Sequence, residues 1–124
     1  MSEVKGQKVQ AFYTVIAREK PVKTYTRKFI HSKASGGFWA HIRDLMQREK
    51  LANEAVGHQV VVVIRIGYNP RVLELWEKLT FIDERGVCYR LKDKPDEFDY
   101  DKGDLKLTAY AFKDDTVYEG DLYE

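Results

Sequence analysis

The run of four consecutive valines within His58–Ile66 (HQVVVVIRI) constrains this chain more than any other feature. β-branched side chains are restricted at χ1 and favour extended backbone, so the run predicts a β-strand. Its apolar character is continuous rather than alternating, which indicates burial on both faces of a sheet. We therefore expect Val60–Ile66 to form the central strand of a mostly β domain.

Other segments also carry strand patterns, and turn residues separate them. The segment Phe38–Leu45 fits both a strand and a helix, and we favour the strand. The remaining candidate strands are Lys8–Ala17, Thr24–Ile30, Leu105–Phe112 and Val87–Leu91, the last as the far arm of a hairpin that turns at Asp83–Gly86. Short strands separated by turn signals predict a small β-barrel or sandwich.

Two segments do not follow the strand pattern. Arg48–Val56 has good helix formers but is short, so we expect one long loop or short helix there. Val72–Thr80 is compatible with a helix or a strand.

We expect the core to contain Trp39, Val61, Val63, Ile64, Tyr89 and Leu107.

The chain's length and apolar content fit a single domain. The sequence has 124 residues and 44% hydrophobic content, and we assign the β domain to residues 1–113. Residues 114–124 contain five acidic residues and no basic one, which predicts a solvated acidic C-terminal tail, ordered by a partner if at all.

The lone Cys88 and the polar segment Met1–Gln10 bear on the compartment of synthesis. One cysteine cannot form an internal disulfide, and the first ten residues do not resemble a signal segment, so we expect synthesis in the cytoplasm. The longest apolar stretch is far shorter than the roughly 20 residues that cross a bilayer, so we expect no membrane insertion.

Charge is distributed unevenly along the chain. Residues 1–50 carry eleven Lys or Arg against four Asp or Glu, a net +7, whereas residues 51–124 carry ten against sixteen, a net −6. Folding can mix these charges again. Alternatively, the basic side of one subunit meets an acidic side of a neighbour, or meets nucleic acid.

Motifs for catalysis or metal binding are not found. His31, His41 and His58 have no partners at metal-ligand spacing, and no nucleophile motif accompanies His41. Asp93–Asp104 has the acidic spacing of a calcium loop, but a glycine occupies the third ligand position and the closing glutamate is missing. We expect a polar hairpin loop there, and no catalytic residue, metal or cofactor in the chain.

A basic stretch with interleaved aromatic residues allows a nucleic-acid interface. Basic residues hold a phosphate backbone and aromatic rings stack on bases. An ordinary solvated strand face, with lysines protecting a sheet edge, has the same composition. The stretch comprises Lys20, Lys23, Tyr25, Arg27, Lys28, Phe29 and Lys33.

The order of these features resembles the head-closure, or head-tail joining, proteins of long-tailed bacteriophages. The resemblance spans about residues 8–112. The order of the matching features along the chain carries more weight than any single motif. The matching features are Phe38–Ile42 (FWAHI), a polar segment with Glu49, Glu54 and Ala55, the strand end Val63–Tyr68 (VIRIGY), Leu79–Phe81, the hairpin Asp83–Gly86, Val87–Leu91 and a closing strand at Leu105–Ala111. Residues 69–78 are more amphipathic than the turn and strand usual in that family.

The resemblance implies a virion structural protein rather than an enzyme. It implies a small β-barrel in a homo-oligomeric ring of twelve subunits below the portal and its adaptor proteins. That ring retains packaged double-stranded DNA and provides the docking surface for the tail-joining protein. A small nucleic-acid-binding β-barrel, and a neighbouring adaptor or tail-joining protein of the same connector, are the alternatives.

The resemblance also implies roles for basic residues. The segment Asp44–Gly57 would point into the channel, with Arg43, Arg48 and Lys50 facing DNA. Candidates for contacts with neighbouring subunits or with DNA are Lys23, Arg27, Lys28 and Lys33.

Overall fold

The described part of the chain folds into a mostly β structure, as the sequence predicts, with one short helix. The computed structural model describes residues 6–44, 61–98 and 103–124. Within these residues the elements are β1 (Gly6–Arg18), β2 (Thr24–Phe29), β3 (Phe38–Asp44), β4 (Val61–Gly67), α1 (Pro70–Leu75), β5 (Thr80–Ile82), β6 (Cys88–Leu91), β7 (Asp96–Phe98), β8 (Asp104–Phe112) and β9 (Tyr118–Tyr123). The predicted long loop or short helix at Arg48–Val56 lies outside the described residues, as do Arg48 and Lys50.

Six strands close into a β-barrel, which decides between the predicted barrel and sandwich. The strands follow the order β3, β4, β8, β6, β5, β1, and β1 pairs back to β3. All six pairings are antiparallel. Closure leaves each of these strands hydrogen-bonded on both sides, which removes the exposed edges of an open sheet.

Gly37 lets β3 approach β1 closely enough for this closure. Its φ is +124°, in the region that favours glycine, and a Cβ at this position would lie 2.4 Å from the carbonyl oxygen of Val9. Because that contact is with backbone, a side chain here cannot be accommodated by a simple rotamer change. The residue that follows, Phe38, pairs with Val9 in the β1–β3 ladder.

β1 is longer than the barrel requires, so its C-terminal half leaves the barrel. Gly6–Val9 pairs with β3 and Gln10–Phe12 pairs with β5, whereas Phe12–Arg18 forms an antiparallel hairpin with β2. β9 then adds to the far side of β2 in parallel. We call the C-terminal half of β1, together with β2 and β9, the extension. β7 pairs separately with the beginning of β8.

The valine strand β4 lies between β3 and β8 and is buried on both faces, as predicted. Val62, Ile64 and Ile66 face the main core, and Val61 and Val63 form a separate buried pair on the other face. Val60 lies outside the described residues.

Five of the six residues that we expected in the core are buried, and Trp39 is the exception. Val61, Val63, Ile64, Tyr89 and Leu107 are all buried. The prediction for Trp39 is wrong, since 64% of the residue is exposed. Strand alternation gives the reason: Ala40 is fully buried, so its neighbour on β3 projects to the outside of the barrel.

The C-terminal segment is largely exposed, as expected of a solvated segment, but part of it is ordered as a strand within the same chain. Residues 118–123 form β9, and each of them except Glu119 has a partner residue on β2. Electrostatic and aromatic contacts hold this strand, so an acidic composition does not prevent its pairing with the domain.

Of the two readings of Val72–Thr80, the helix is correct for its beginning. Asn69 caps α1, its side chain accepting a hydrogen bond from the backbone N–H of Arg71 at 2.9 Å, and Pro70 occupies the first turn. Val72 is fully buried and anchors the helix to the core.

The predicted β5–β6 hairpin is present, and a buried carboxylate organises its turn. The Asp83 side chain accepts hydrogen bonds from the backbone N–H groups of Arg85 (2.9 Å) and Val87 (3.0 Å) and from the Tyr89 hydroxyl (2.9 Å). The Arg85 guanidinium donates a further bond at 3.2 Å. Burial alone would raise the pKa of Asp83, but these hydrogen bonds outweigh it and hold the pKa below its ordinary value.

We expect Asp83→Asn to destabilise the fold by about 2 kcal/mol at pH 7, because hydrogen bonds to a buried charge are lost and a donor faces donors. A lowered folded-state pKa means that this stabilisation is fully present above the unfolded-state pKa of about 3.9 and is lost as pH falls through the folded pKa. Urea unfolding at several pH values tests this. The exposed Asp93→Asn is the matched control, and equal stability of the two variants would contradict the assignment.

Candidate nucleic-acid interface

The outward side chains of β3 and its neighbours form a basic surface around an exposed tryptophan. Cross-strand partners in antiparallel strands share a face, and the register pairs Lys8 with Trp39, His41 with Arg65, and Arg65 with Lys106. We call this surface the Trp39 face; it consists of Lys8, Trp39, His41, Arg43, Arg65 and Lys106.

Trp39 rests against a part of β1 that has no side chain. A Cβ at Gly6 would lie 3.3 Å from the Trp39 ring, so the glycine leaves room for the indole beside the backbone. The Lys8 ammonium lies 5.5 Å from the ring centroid, within cation–π range, and donates to the carbonyl oxygen of Ser35 at 3.1 Å. An exposed ring beside a held cation is an arrangement that can stack on a base while attracting its phosphate.

Carboxylates offset part of the positive charge on this face. Arg65 donates to Asp104 from Nε (2.8 Å) and Nη2 (2.5 Å). Asp96 is the cross-strand partner of Lys106, and the Glu84 carboxylate accepts from the backbone N–H of Lys8. Four Lys or Arg side chains therefore stand beside three carboxylates, and the excess of positive charge is small.

Arg43 belongs to the Trp39 face, near the end of β3. It is half-buried and its cross-strand partner is Val63. The first described range ends at Asp44, the residue after Arg43. Of the three predicted channel residues, Arg43 alone lies among the described residues.

Arg27 is engaged within the chain. Its guanidinium binds the Asp121 carboxylate through two hydrogen bonds, at 2.7 and 3.0 Å, and lies 5.2 to 5.5 Å from the rings of Phe12, Phe29 and Tyr118. The hydrogen bond to Asp121 outweighs desolvation and raises the pKa of Arg27 above its ordinary value. Its role in this structure is to hold β9 on β2.

The other basic candidates lie apart from one another, on β2 and in the segments before and after it. Lys28 lies on the opposite face of β2 from Arg27, with its ammonium 6.0 Å from the Tyr13 ring, and Lys23 lies 5.8 Å from the Tyr25 ring. Lys33 is exposed in the turn after β2. Phe29 is buried, so it is unavailable for stacking on a base.

Sequence reasoning missed the Trp39 face, although a signal for it was present. In β3 the outward series Trp39, His41, Arg43 alternates with the inward series Phe38, Ala40, Ile42. The outward series becomes increasingly polar along the strand, which identifies the solvent side. The expectation that Trp39 belongs to the core did not take this alternation into account.

His31 and Cys88, whose side chains are chemically reactive, have packing or hydrogen-bonding roles in the structure. His31 is buried between Phe29 and Phe38, with Nδ1 3.0 Å from the carbonyl oxygen of Ser32. Cys88 lines a shallow depression with Phe112, and burial raises the pKa of its thiol, which keeps it protonated at neutral pH. In the described ranges, no cluster of three or more metal-ligating side chains occurs and no helix is long and apolar enough to span a membrane.

Comparison with known proteins gives no family for the chain: no protein-family model matches it, and no curated protein matches its sequence. The fold and the surfaces described above are therefore the basis for inferring its function.

The exposure of Trp39 can be tested by truncation. We expect Trp39→Ala to change the free energy of unfolding by no more than about 0.5 kcal/mol, as for other surface substitutions. Phe81→Ala, at a fully buried position, should cost about 3–5 kcal/mol. Denaturant unfolding of both variants measures the difference, and a loss of several kcal/mol for Trp39→Ala would show that this ring belongs to a packed core.

Proposed function

We propose that this chain is a virion structural protein, a head-closure connector subunit of a long-tailed bacteriophage. In this role it forms a ring below the portal and adaptor, retains packaged double-stranded DNA and provides the docking surface for the tail. The resemblance described above suggests this role, and the closed barrel is the fold which that resemblance implies. The ring and the virion location are parts of the same proposal.

The observation that carries the proposal is the length of the connection between β3 and β4. These strands are antiparallel neighbours, with Arg43 opposite Val63, yet residues 45–60 separate them along the chain. Neighbouring antiparallel strands can be joined by about 2–5 residues, and a connection longer than about 12–15 residues is uncommon and is often a functional segment. In the proposal this connection reaches into the channel.

Individual basic residues are compatible with the same orientation. The connection leaves from β3, whose outward residues belong to the Trp39 face, and its sequence contains Arg48 and Lys50 together with Glu49 and Glu54. A ring with this face toward the channel would present basic side chains to DNA at every subunit. Phosphate attraction of this kind needs no base readout, which suits a protein that holds any packaged sequence.

Particle assembly and DNA retention test the proposal. We expect the chain to form rings with portal and adaptor under the electron microscope, and we expect particles that lack it to release DNA. A monomer that ignores portal and adaptor, together with unchanged DNA retention when the chain is deleted, would overturn the proposal. Density for the chain next to the portal, or at the tail side, would identify it instead as an adaptor or a tail-joining protein.

A paired substitution tests the role of the connection. We expect Arg48→Ser with Lys50→Ser to assemble normally but to retain DNA less well, because two phosphate contacts per subunit are removed. Lys94→Ser with Lys113→Ser removes the same charge from exposed positions elsewhere and should retain DNA normally. Nuclease sensitivity of filled particles measures retention, and equal leakage from both pairs would argue against a channel role for residues 48 and 50.

A free-standing nucleic-acid-binding barrel is the second candidate, and the exposure of Trp39 beside Lys8 favours it. Under this alternative, the chain alone binds single-stranded DNA with an affinity that falls with salt by about 0.7 log units per log unit of salt for each phosphate contact. We expect Lys8→Ser with Lys106→Ser to lower that slope by about 1 to 2. Fluorescence anisotropy at two salt concentrations measures it, and no binding at low salt removes this candidate.

A further inference from the structure

The last eleven residues dock onto the rest of the domain like a bound peptide. We call residues 114–124 the C-terminal arm, and the surface along β2 that holds it the receptor groove. The six-strand barrel closes without the arm, and among the described residues β9 pairs with β2 alone. On either side of β9, Tyr25 N–H donates to the Val117 carbonyl oxygen and Glu124 N–H donates to the Phe29 carbonyl oxygen, both at 3.1 Å.

The arm and the groove have opposite charges. The arm carries five acidic residues and no basic one. Three arginines outside the arm bind its carboxylates: Arg27 binds Asp121, Arg71 binds Glu124, and Arg18 lies 3.4 Å from Glu119. These ion pairs are partly exposed, so each contributes little on its own. Together the three pairs align the arm along β2.

Aromatic contacts provide the apolar part of the docking. Tyr123 stacks on Phe29 with ring centroids 5.0 Å apart and an interplanar angle of 12°. Tyr118 meets Phe12 edge to face, with centroids 5.7 Å apart. Phe12 and Phe29 are both buried. Burial, followed by the hydrogen bond to Asp114, raises the pKa of Tyr118 to about 12, so its hydroxyl remains a donor at neutral pH.

Apolar side chains that stay exposed in a single chain concentrate on these elements. Among the described residues, six of the eight exposed large hydrophobic side chains lie on the extension, at the turn of its hairpin or just before β9: Val15, Ile16, Val22, Val117, Leu122 and Tyr123. Val15 and Ile16 are successive residues of β1, as Leu122 and Tyr123 are of β9, so these side chains are distributed over both faces of the extension. The elements that dock the arm therefore also carry most of the exposed apolar side chains of the described residues.

We propose that, in the assembled protein, the C-terminal arm of one copy occupies the receptor groove of a second copy. An arm can make the same contacts with the groove of its own copy or of a neighbour, because the contacts lie within the arm and the groove and not in the link between them. Exchanging an identical element in this way is a low-cost route to assembly. In a head-to-tail contact each copy donates one arm and accepts one, and such contacts form a ring when the rotation between neighbours closes. This inference rests on the proposed ring, in which neighbours hold each arm at high effective concentration.

Two single-cysteine variants of the full chain test the exchange. Thr26 of β2 and Gly120 of β9 are cross-strand partners, and a Cβ at Gly120 would meet open space. In a Cys88→Ser background, one variant carries Thr26→Cys and the other Gly120→Cys, so a disulfide between these positions requires two molecules. We expect an oxidised equimolar mixture to form the mixed dimer, identified by its intact mass.

Three controls define the outcome. Thr26→Cys mixed with an exposed Lys94→Cys variant measures random collision, and docking should give roughly tenfold more mixed dimer than this control because it raises the effective concentration. Adding Asp121→Asn to the Gly120→Cys variant should lower the yield, since Arg27 loses its charged partner. A variant with both cysteines in one chain verifies that the two positions are in register.

The results separate this inference from the proposed function. If the double variant forms its disulfide while the mixture stays at the collision level, the arm remains on its own chain and the inference fails. Rings with portal and adaptor would in that case leave the proposed function standing. A chain that is monomeric under all conditions, with or without portal, would overturn both.

Discussion

The ladder between Gly6–Val9 of β1 and β3 closes the barrel, and the remaining architecture depends on it. Closure requires the two backbones to approach at Gly37, where a side chain would collide with Val9. Once these four residues of β1 are used for closure and the next ones for β5, the rest of this long strand has no place in the barrel. It extends outward and pairs with β2, which creates the surface on which β9 docks.

The closed barrel also explains why a run of valines forms a strand at the position of β4. Val62 and Ile64 fill the interior, as alternation requires, while Val61 and Val63 are buried on the opposite face. Strand β4 therefore tolerates no shift of register, since a slip of one residue would exchange its two faces and break both sets of contacts. The Trp39 face begins beside it, on the next strand, and inherits its fixed geometry from this pairing.

Sequence patterns predicted five of the six barrel strands, all except β5, and most of the core, because β-branched runs, alternation and turn residues are local properties. Position on the barrel is not local. Trp39 is a large aromatic residue of the kind that often lies in a core, but the register of β3 places it on the solvent side. The sequence signal for this was the polar pair His41 and Arg43 on the same face. β9 was missed for a related reason. Its acidic residues are unfavourable alone and become favourable only beside Arg27 and Arg71, which lie far away in the sequence.

The sequence left two explanations open for the uneven charge along the chain: mixing of the charges by folding, and contact between oppositely charged sides of neighbouring molecules. Part of it is mixed by folding, since Arg18 and Arg27 from the basic half bind Glu119 and Asp121 from the acidic half. This pairing uses contacts that are specific in geometry, because Arg27 binds a carboxylate with two hydrogen bonds and lies beside three aromatic rings. Within the basic stretch, which on sequence grounds suits a nucleic acid, Arg27 instead binds an acidic segment of the same chain. This complementarity between Arg27 with its aromatic neighbours and the C-terminal arm is the physical basis of the arm exchange that we propose.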